Sequence, residues 1–210
     1  MEQYLAIAPV ASLIFVITIA VSLLAFSFEG MYAKLMLHPY SISRGKHIYT
    51  LITSGFIHRD WMHLLFNMMS YFFFAFQLES QLGHWQFGLL YMLSLILSDL
   101  PSVIKHREDF WYHSLGASGA ISAVIFGFIM FNPFARIGFL FLPFPIPAIL
   151  FGVLYLVYCS YASKYSKDNI NHDAHLYGGL SGIMITVLLN HQAVVDFSHA
   201  FTTQVQSLLH

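Results

Sequence analysis

The chain has 210 residues, of which 58% are apolar, 17% aromatic and 9% charged, with a formal net charge of -1 and a mean hydropathy of +0.67. A soluble domain carries about 25% charged residues, so the composition argues against a soluble globular enzyme and a disordered chain. Without a Lys/Arg cluster, it also argues against a nucleic-acid binder. A spanning helix needs about 20 apolar residues, so six would use roughly 120 and leave roughly 90 for loops and tails. The expectation is an all-α multi-pass membrane protein: a six-helix membrane domain over residues 1–190 and a separate tail over 191–210.

The apolar run Leu5 to Phe28 reads as an uncleaved first helix. It exceeds the 7–15-residue core of a signal peptide, and no positive charge precedes it. The connection Glu29 to Met62 is long enough to need structure of its own, and we expect it to be partly helical and to lie at the interface. Helices follow at Trp61 to Gly83, Phe87 to Ile104, Gly116 to Asn132, Ala148 to Ala162 and Asp173 to Asn190. Pro133 stops the fourth of the six. In the tail, Val194, Phe197, Phe201, Val205 and Leu208 recur at helical spacing, which reads as an amphipathic helix on the membrane surface. Cys159, the single cysteine, lies in an apolar run and reads as a buried, inert thiol.

Polar residues within spans are expensive and become functional hypotheses by default. His63 and Asn67 are four apart on one helical face, either as polar glue between helices or as two donors into one space. Ser118 opens a helix amid Gly116, Ala117, Gly119 and Ala120. It is either an N-cap or packing residue or a nucleophile where unpaired N–H groups favour an oxyanion. His175, about one turn into the sixth helix, is either a structural histidine or the base that activates a serine. Gly119, Ala123 and Gly127 form one small-residue stripe, and Gly178 and Gly182 another. Such stripes let helix backbones approach closely in lipid, which would bring Ser118 toward His175. Glu79 reads as a structural hydrogen-bond partner. Asp173, two residues before His175, faces another way and is not a third triad member.

The sequence resembles the rhomboid intramembrane serine proteases. The resemblance rests on Leu51-Ile-Thr-Ser-Gly-Phe-Ile-His58, His63-Leu-Leu-Phe-Asn67-Met68, Glu79 with Leu82-Gly83, Gly116-Ala-Ser118-Gly-Ala120 and Ala174-His175-Leu-Tyr-Gly178-Gly-Leu-Ser-Gly182, in family order. It implies Ser118 as nucleophile, His175 as general base, and an oxyanion hole of His63, Asn67 and the Ser118 N–H. Gly116 would let substrate backbone approach, His58 would be a structural loop histidine, and the fifth helix with its following loop would be a lateral gate. The implied activity is cleavage of transmembrane protein substrates through an acyl-enzyme, in contact with membrane lipid and with no cofactor or metal.

Two positions depart from the family pattern. Tyr49-Thr50 stands where many members have Trp-Arg. Ser122 stands where many have an aromatic residue stacked on the base, so another group must orient His175 or the imidazole is held more loosely. The alternatives are a non-catalytic rhomboid-like factor that binds membrane clients, a metal or haem bundle using His63 and His175, and a small transporter.

Lys34, Arg44, Lys46, Arg59, Lys105, Arg107, Lys164 and Lys167 fall on one side of the bundle and Arg136 on the other. The positive-inside rule would put the larger set in the cytoplasm. The resemblance instead implies a bacterial inner membrane protein whose active site, on that same side, faces away from the cytoplasm. We follow the resemblance.

Overall fold

The computed structural model describes residues 2–28, 30–138 and 144–209, with side chains over 5–28, 30–138 and 144–207. The helices are α1 (Glu2–Ile7), α2 (Pro9–Ser27), α3 (Gly30–Leu35), α4 (Pro39–Ile42), α5 (Thr50–Thr53), α6 (Trp61–Leu82), α7 (His84–Lys105), α8 (Ser118–Phe131), α9 (Ala148–Tyr165), α10 (His172–Leu189) and α11 (Gln192–Leu209). A 3-10 turn, Ser54–Phe56, follows α5. The fold is an all-α membrane bundle of six long elements, α2 and α6 to α10.

Among the described residues, α2, α7 and α9 are the helices long and apolar enough to be recognised as spans on their own. The others are less obvious for physical reasons. α6 carries His63, Asn67 and Glu79, and α10 opens on His172-Asp173-Ala174-His175. α8 has 14 residues, about 21 Å of helix at about 1.5 Å per residue, against a hydrocarbon core of about 30 Å. It is the central element, buried continuously from Gly119 to Ile129. A helix of this length cannot reach both faces of the hydrocarbon core.

α8 and α10 meet backbone to backbone. A Cβ added to Gly178 would collide with the Gly119 carbonyl, and one on Gly182 would collide with the Ala123 backbone. One on Gly127 would lie 2.9 Å from Thr186 Oγ1. The two expected small-residue stripes therefore face each other.

The expected uninterrupted first helix is broken at Ala8, whose φ of -141° and ψ of 69° are non-helical, and α2 restarts with Pro9 at its first position. A proline there has no N–H to leave unpaired. The next two donors, Val10 and Ala11 N–H, bond the fully buried Glu79 carboxylate at 3.1 and 2.5 Å. His84 Nδ1 lies 2.6 Å from the same group. Glu79 is thus a structural partner, as the sequence suggested.

The 29–62 connection is partly helical, through α3, α4 and α5. It is pinned by an antiparallel bridge between Leu37 and Ser114 and by the fully buried Leu37 and Ile57. α7 begins three residues before the expected Phe87 and α9 runs on to Tyr165; the added polar residues His84 and Ser163 find partners on neighbouring helices, in Glu79 and Asp173. The Pro-rich connection before α9 holds a two-residue strand pair unseen in the sequence, β1 (Arg136–Ile137) against β2 (Ile146–Pro147). Pro143 lies outside the described residues, as does the side chain of Leu208. α11 turns 107° from α10 and is seated by buried Ala193 and by Phe201 against Phe134 at 4.9 Å.

Candidate active site

Ser118 is the first residue of α8, so its N–H and those of the next residues have no partner within the helix. Gly116, two residues earlier, has φ of +116°, and a Cβ there would sit 2.7 Å from the His63 ring. The position therefore needs glycine for its backbone angle and for contact with His63. The α8–α10 contact brings His175 Nε2 to 2.8 Å from Ser118 Oγ. In this geometry a serine hydroxyl donates to Nε2 when the ring carries its proton on Nδ1.

His63 and Asn67 join Ser118 and His175 on one cavity of about 1060 Å3. It is bounded below by Ser122 and Ile125 and above by the loops holding His113 and Asp168. Asn67 is nearly buried, and its Nδ2 donates back to the His63 carbonyl at 2.9 Å. His63 Nδ1 accepts from Arg59 N–H at 3.4 Å. Asp60 caps α6 by accepting from His63 N–H at 2.8 Å. That bond, with Arg59 beside it, holds the Asp60 carboxyl below the usual range.

No aromatic residue follows Ser118 by one turn, yet the His175 ring is stacked. The Tyr155 ring, from α9, lies 6.2 Å from the His175 ring at an interplanar angle of 19°. The Tyr155 and Ser122 hydroxyls are 2.7 Å apart, and Ser122 also donates to the Ser118 carbonyl. The small residue on α8 leaves room for an aromatic from the neighbouring helix and ties it in place.

His58 is fully buried. Its Nδ1 is 2.9 Å from Ser22 Oγ, which donates to the Phe56 carbonyl, while Nε2 accepts from Ala117 N–H at 3.5 Å. These partners require a neutral ring with its proton on Nδ1, and burial together with His63 pulls its pKa down to about 3. His58 therefore joins α2, the loop and the residue before Ser118. The start of α10 is capped by Asn171, whose Oδ1 accepts from Ala174 N–H at 3.1 Å and whose Nδ2 bonds Ser102 and Ser114. Asp173 turns away from His175, pairing with Lys105 at 2.9 Å and with Ser163.

The Rhomboid domain family model matches residues 45–192, a stretch containing every group just described around Ser118 except Ser22. The chain belongs to the rhomboid family. It is similar to the Bacillus subtilis (strain 168) protein named Putative rhomboid protease YdcA, 36% identical over 141 residues that cover 66% of this chain and 65% of that one. It is similar to RHOMBOID-like protein 12, mitochondrial, of Arabidopsis thaliana, 28% identical over 170 residues covering 73% and 49%. Rhomboid protein 1, mitochondrial, of Saccharomyces cerevisiae is 29% identical over 145 residues covering 64% and 40%. The aligned part thus spans between two fifths and two thirds of these relatives' length.

This rhomboid is an integral multi-pass membrane protein. His63, Asn67, Ser118 and His175 meet at one cavity, beside the close contacts of Gly116, Gly119, Gly178 and Gly182. Sequence reasoning missed Tyr155, because an aromatic residue in an apolar helix looks like any lipid-facing side chain. It also missed that Cys159, buried as expected, lies beside His172 and His175.

Proposed function

We propose that this rhomboid is a serine endopeptidase that cleaves transmembrane proteins in or near their membrane segment, with Ser118 as nucleophile and His175 as general base. The observation that carries the reading is the 2.8 Å pair between Ser118 Oγ and His175 Nε2 at the floor of an open cavity.

Ser118 Oγ attacks the scissile carbonyl carbon while its proton passes to His175 Nε2. The oxyanion is received by the Ser118 N–H, Asn67 and His63. Asn67 Nδ2 gives one N–H to the His63 carbonyl and has a second for the oxyanion. His175 then gives its proton to the leaving amine as the C–N bond breaks. Water from the cavity attacks the acyl-enzyme with His175 again as base. Tyr155 holds the imidazole plane, and the unwound substrate backbone passes above Gly116. The pair needs no third carboxylate in this scheme, since Tyr155 and the α10 cap do the orienting.

The test is covalent labelling of purified protein by a fluorophosphonate together with cleavage of a model transmembrane substrate. Wild-type protein is expected to do both and Ser118→Ala neither. Undiminished cleavage by Ser118→Ala overturns the assignment. A client-binding rhomboid without catalysis would bind the substrate and show no labelling.

The proposed placement is a bacterial inner membrane with the cavity facing away from the cytoplasm and α11 lying along the opposite surface. The sharp turn after α10 and the apolar Phe197, Phe201 and Val205 support the second part. Alkylation in whole cells of single cysteines placed in the loops at 106–113 and 190–192 reports the orientation.

A further inference from the structure

We propose that Cys159, His172 and His175 form a site for a soft transition-metal ion, Zn2+ in particular, that staples α9 to α10 and switches the Ser118–His175 pair off. The effect on activity rests on the protease reading, whereas the binding does not.

One ligand atom from each of the three residues lies within 4.8 Å of the other two. Cys159 is fully buried and His172 is 4% exposed. His172 Nδ1 is buried with no hydrogen-bond partner, a costly state for a polar group. Its other nitrogen, Nε2, lies 3.1 Å from both oxygens of Asp168. A carboxylate on one imidazole nitrogen fixes the tautomer and leaves the opposite lone pair for a metal, the usual support behind a zinc-bound histidine. We take Nδ1, the nitrogen not committed to Asp168, as the His172 ligand in a group that also offers a thiol and a second imidazole. A set of one sulfur and two nitrogens favours Zn2+ over Mg2+ or Ca2+, which take oxygen. Zinc bonds of about 2.0–2.3 Å would bring the ligands to about 3.3–3.6 Å of one another and leave a fourth position for water. Side-chain shifts of about 1 Å suffice.

Binding releases the Cys159 thiol proton to solvent and leaves both imidazoles neutral. If the metal takes His175 Nδ1, the ring's one proton must sit on Nε2, which then donates and cannot accept the Ser118 proton. If it takes Nε2, it displaces Ser118. Either way the base is lost. The metal would also tie down α9, which is the least buried of the three recognisable spans, at 22% against 33% and 39%.

Co2+ is the probe. Metal-free protein in detergent should bind one equivalent with a thiolate-to-cobalt charge-transfer band, bleached by Zn2+. Cys159 is the only cysteine, so the band reports this site alone. Cys159→Ser and His172→Gln should abolish it, and Asp168→Asn should weaken binding about 10–100-fold. Zn2+ should slow fluorophosphonate labelling of wild-type protein at least about tenfold, reversed by chelator, and leave Cys159→Ser, or Cys159→Ala if the serine variant misfolds, unaffected. Absence of the band in folded wild-type protein, or equal inhibition of the cysteine variants, overturns the site. The cobalt measurement repeats on Ser118→Ala, so a failure of labelling without metal rejects the protease reading while the band still decides the site.

Discussion

Tyr155 of α9 lies flat against His175 of α10, 6.2 Å between ring centroids and 19° from parallel, and its hydroxyl is anchored to Ser122 of α8. Three helices thus share the task of orienting one imidazole. An aromatic contact is worth about 0.5–1.5 kcal/mol, or up to about tenfold in rate. Tyr155→Leu is expected to lower kcat by about that factor with KM little changed. Tyr155→Phe, which keeps the ring, should recover most of the loss. Equal damage from both variants, or a loss confined to KM, would argue against positioning.

Removal of the two groups nearest the reacting atoms should separate their roles. Ser118→Ala should eliminate cleavage. Asn67→Ala should cost about 10²–10³ in kcat, the usual effect of one lost oxyanion donor. Its fluorophosphonate labelling should slow in parallel, because the reagent passes through a similar negatively charged state.

At Gly178 the α8–α10 contact leaves no room for a side chain. Gly178→Ala places a methyl group on the Gly119 carbonyl, and overpacking of this kind costs about 1–3 kcal/mol. Its Tm in detergent should fall, and labelling of Ser118 should fall with it because the pair is forced apart. Gly30→Ala, with open space around its position, should leave both unchanged.

At the other end of the bundle, Glu79→Ala should leave the Val10 and Ala11 donors without their acceptor. Each such group costs about 1–3 kcal/mol. The expected result is a lower Tm with labelling of the folded fraction unchanged, which separates a structural acid from one that assists chemistry.

His58 predicts a pH dependence of stability. Burial and the neighbouring His63 lower its pKa in the folded protein from 6.5 to about 3. Between those values the unfolded chain binds the proton that the folded one refuses. The stabilisation is therefore complete above about pH 6.5 and declines as pH falls toward 3. Thermal unfolding of wild-type protein in detergent from about pH 7 to about pH 4 should show a steeper decline than that of His58→Gln.

The dyad and the glycine stripes were legible in the sequence because polar and small residues are rare in these helices and therefore conspicuous. Ser118, His175, His63 and Asn67 stood out as costs that an apolar segment would not otherwise carry. The break at Ala8 was not legible, because Pro9 looks harmless at a helix start, and the acid that completes the start is 70 residues away at Glu79. Tyr155 was hidden for the opposite reason, as one aromatic residue among many. The pairing of Cys159 with His172 depends on how α9 rotates against α10, and α9 carries too weak an amphipathic pattern to fix that rotation.

α8 and α10 touch along a seam of two turns, from Gly119 against Gly178 to Gly127 against Thr186, so the pair moves as one unit. When a bilayer thicker or thinner than the protein tilts its spans, groups carried on the two helices of such a seam keep their separation. Ser118 is bonded to Gly119, and His175 lies within one turn of Gly178. The distance between Ser118 and His175, one on each helix at the end of that seam, should therefore respond little to lipid composition.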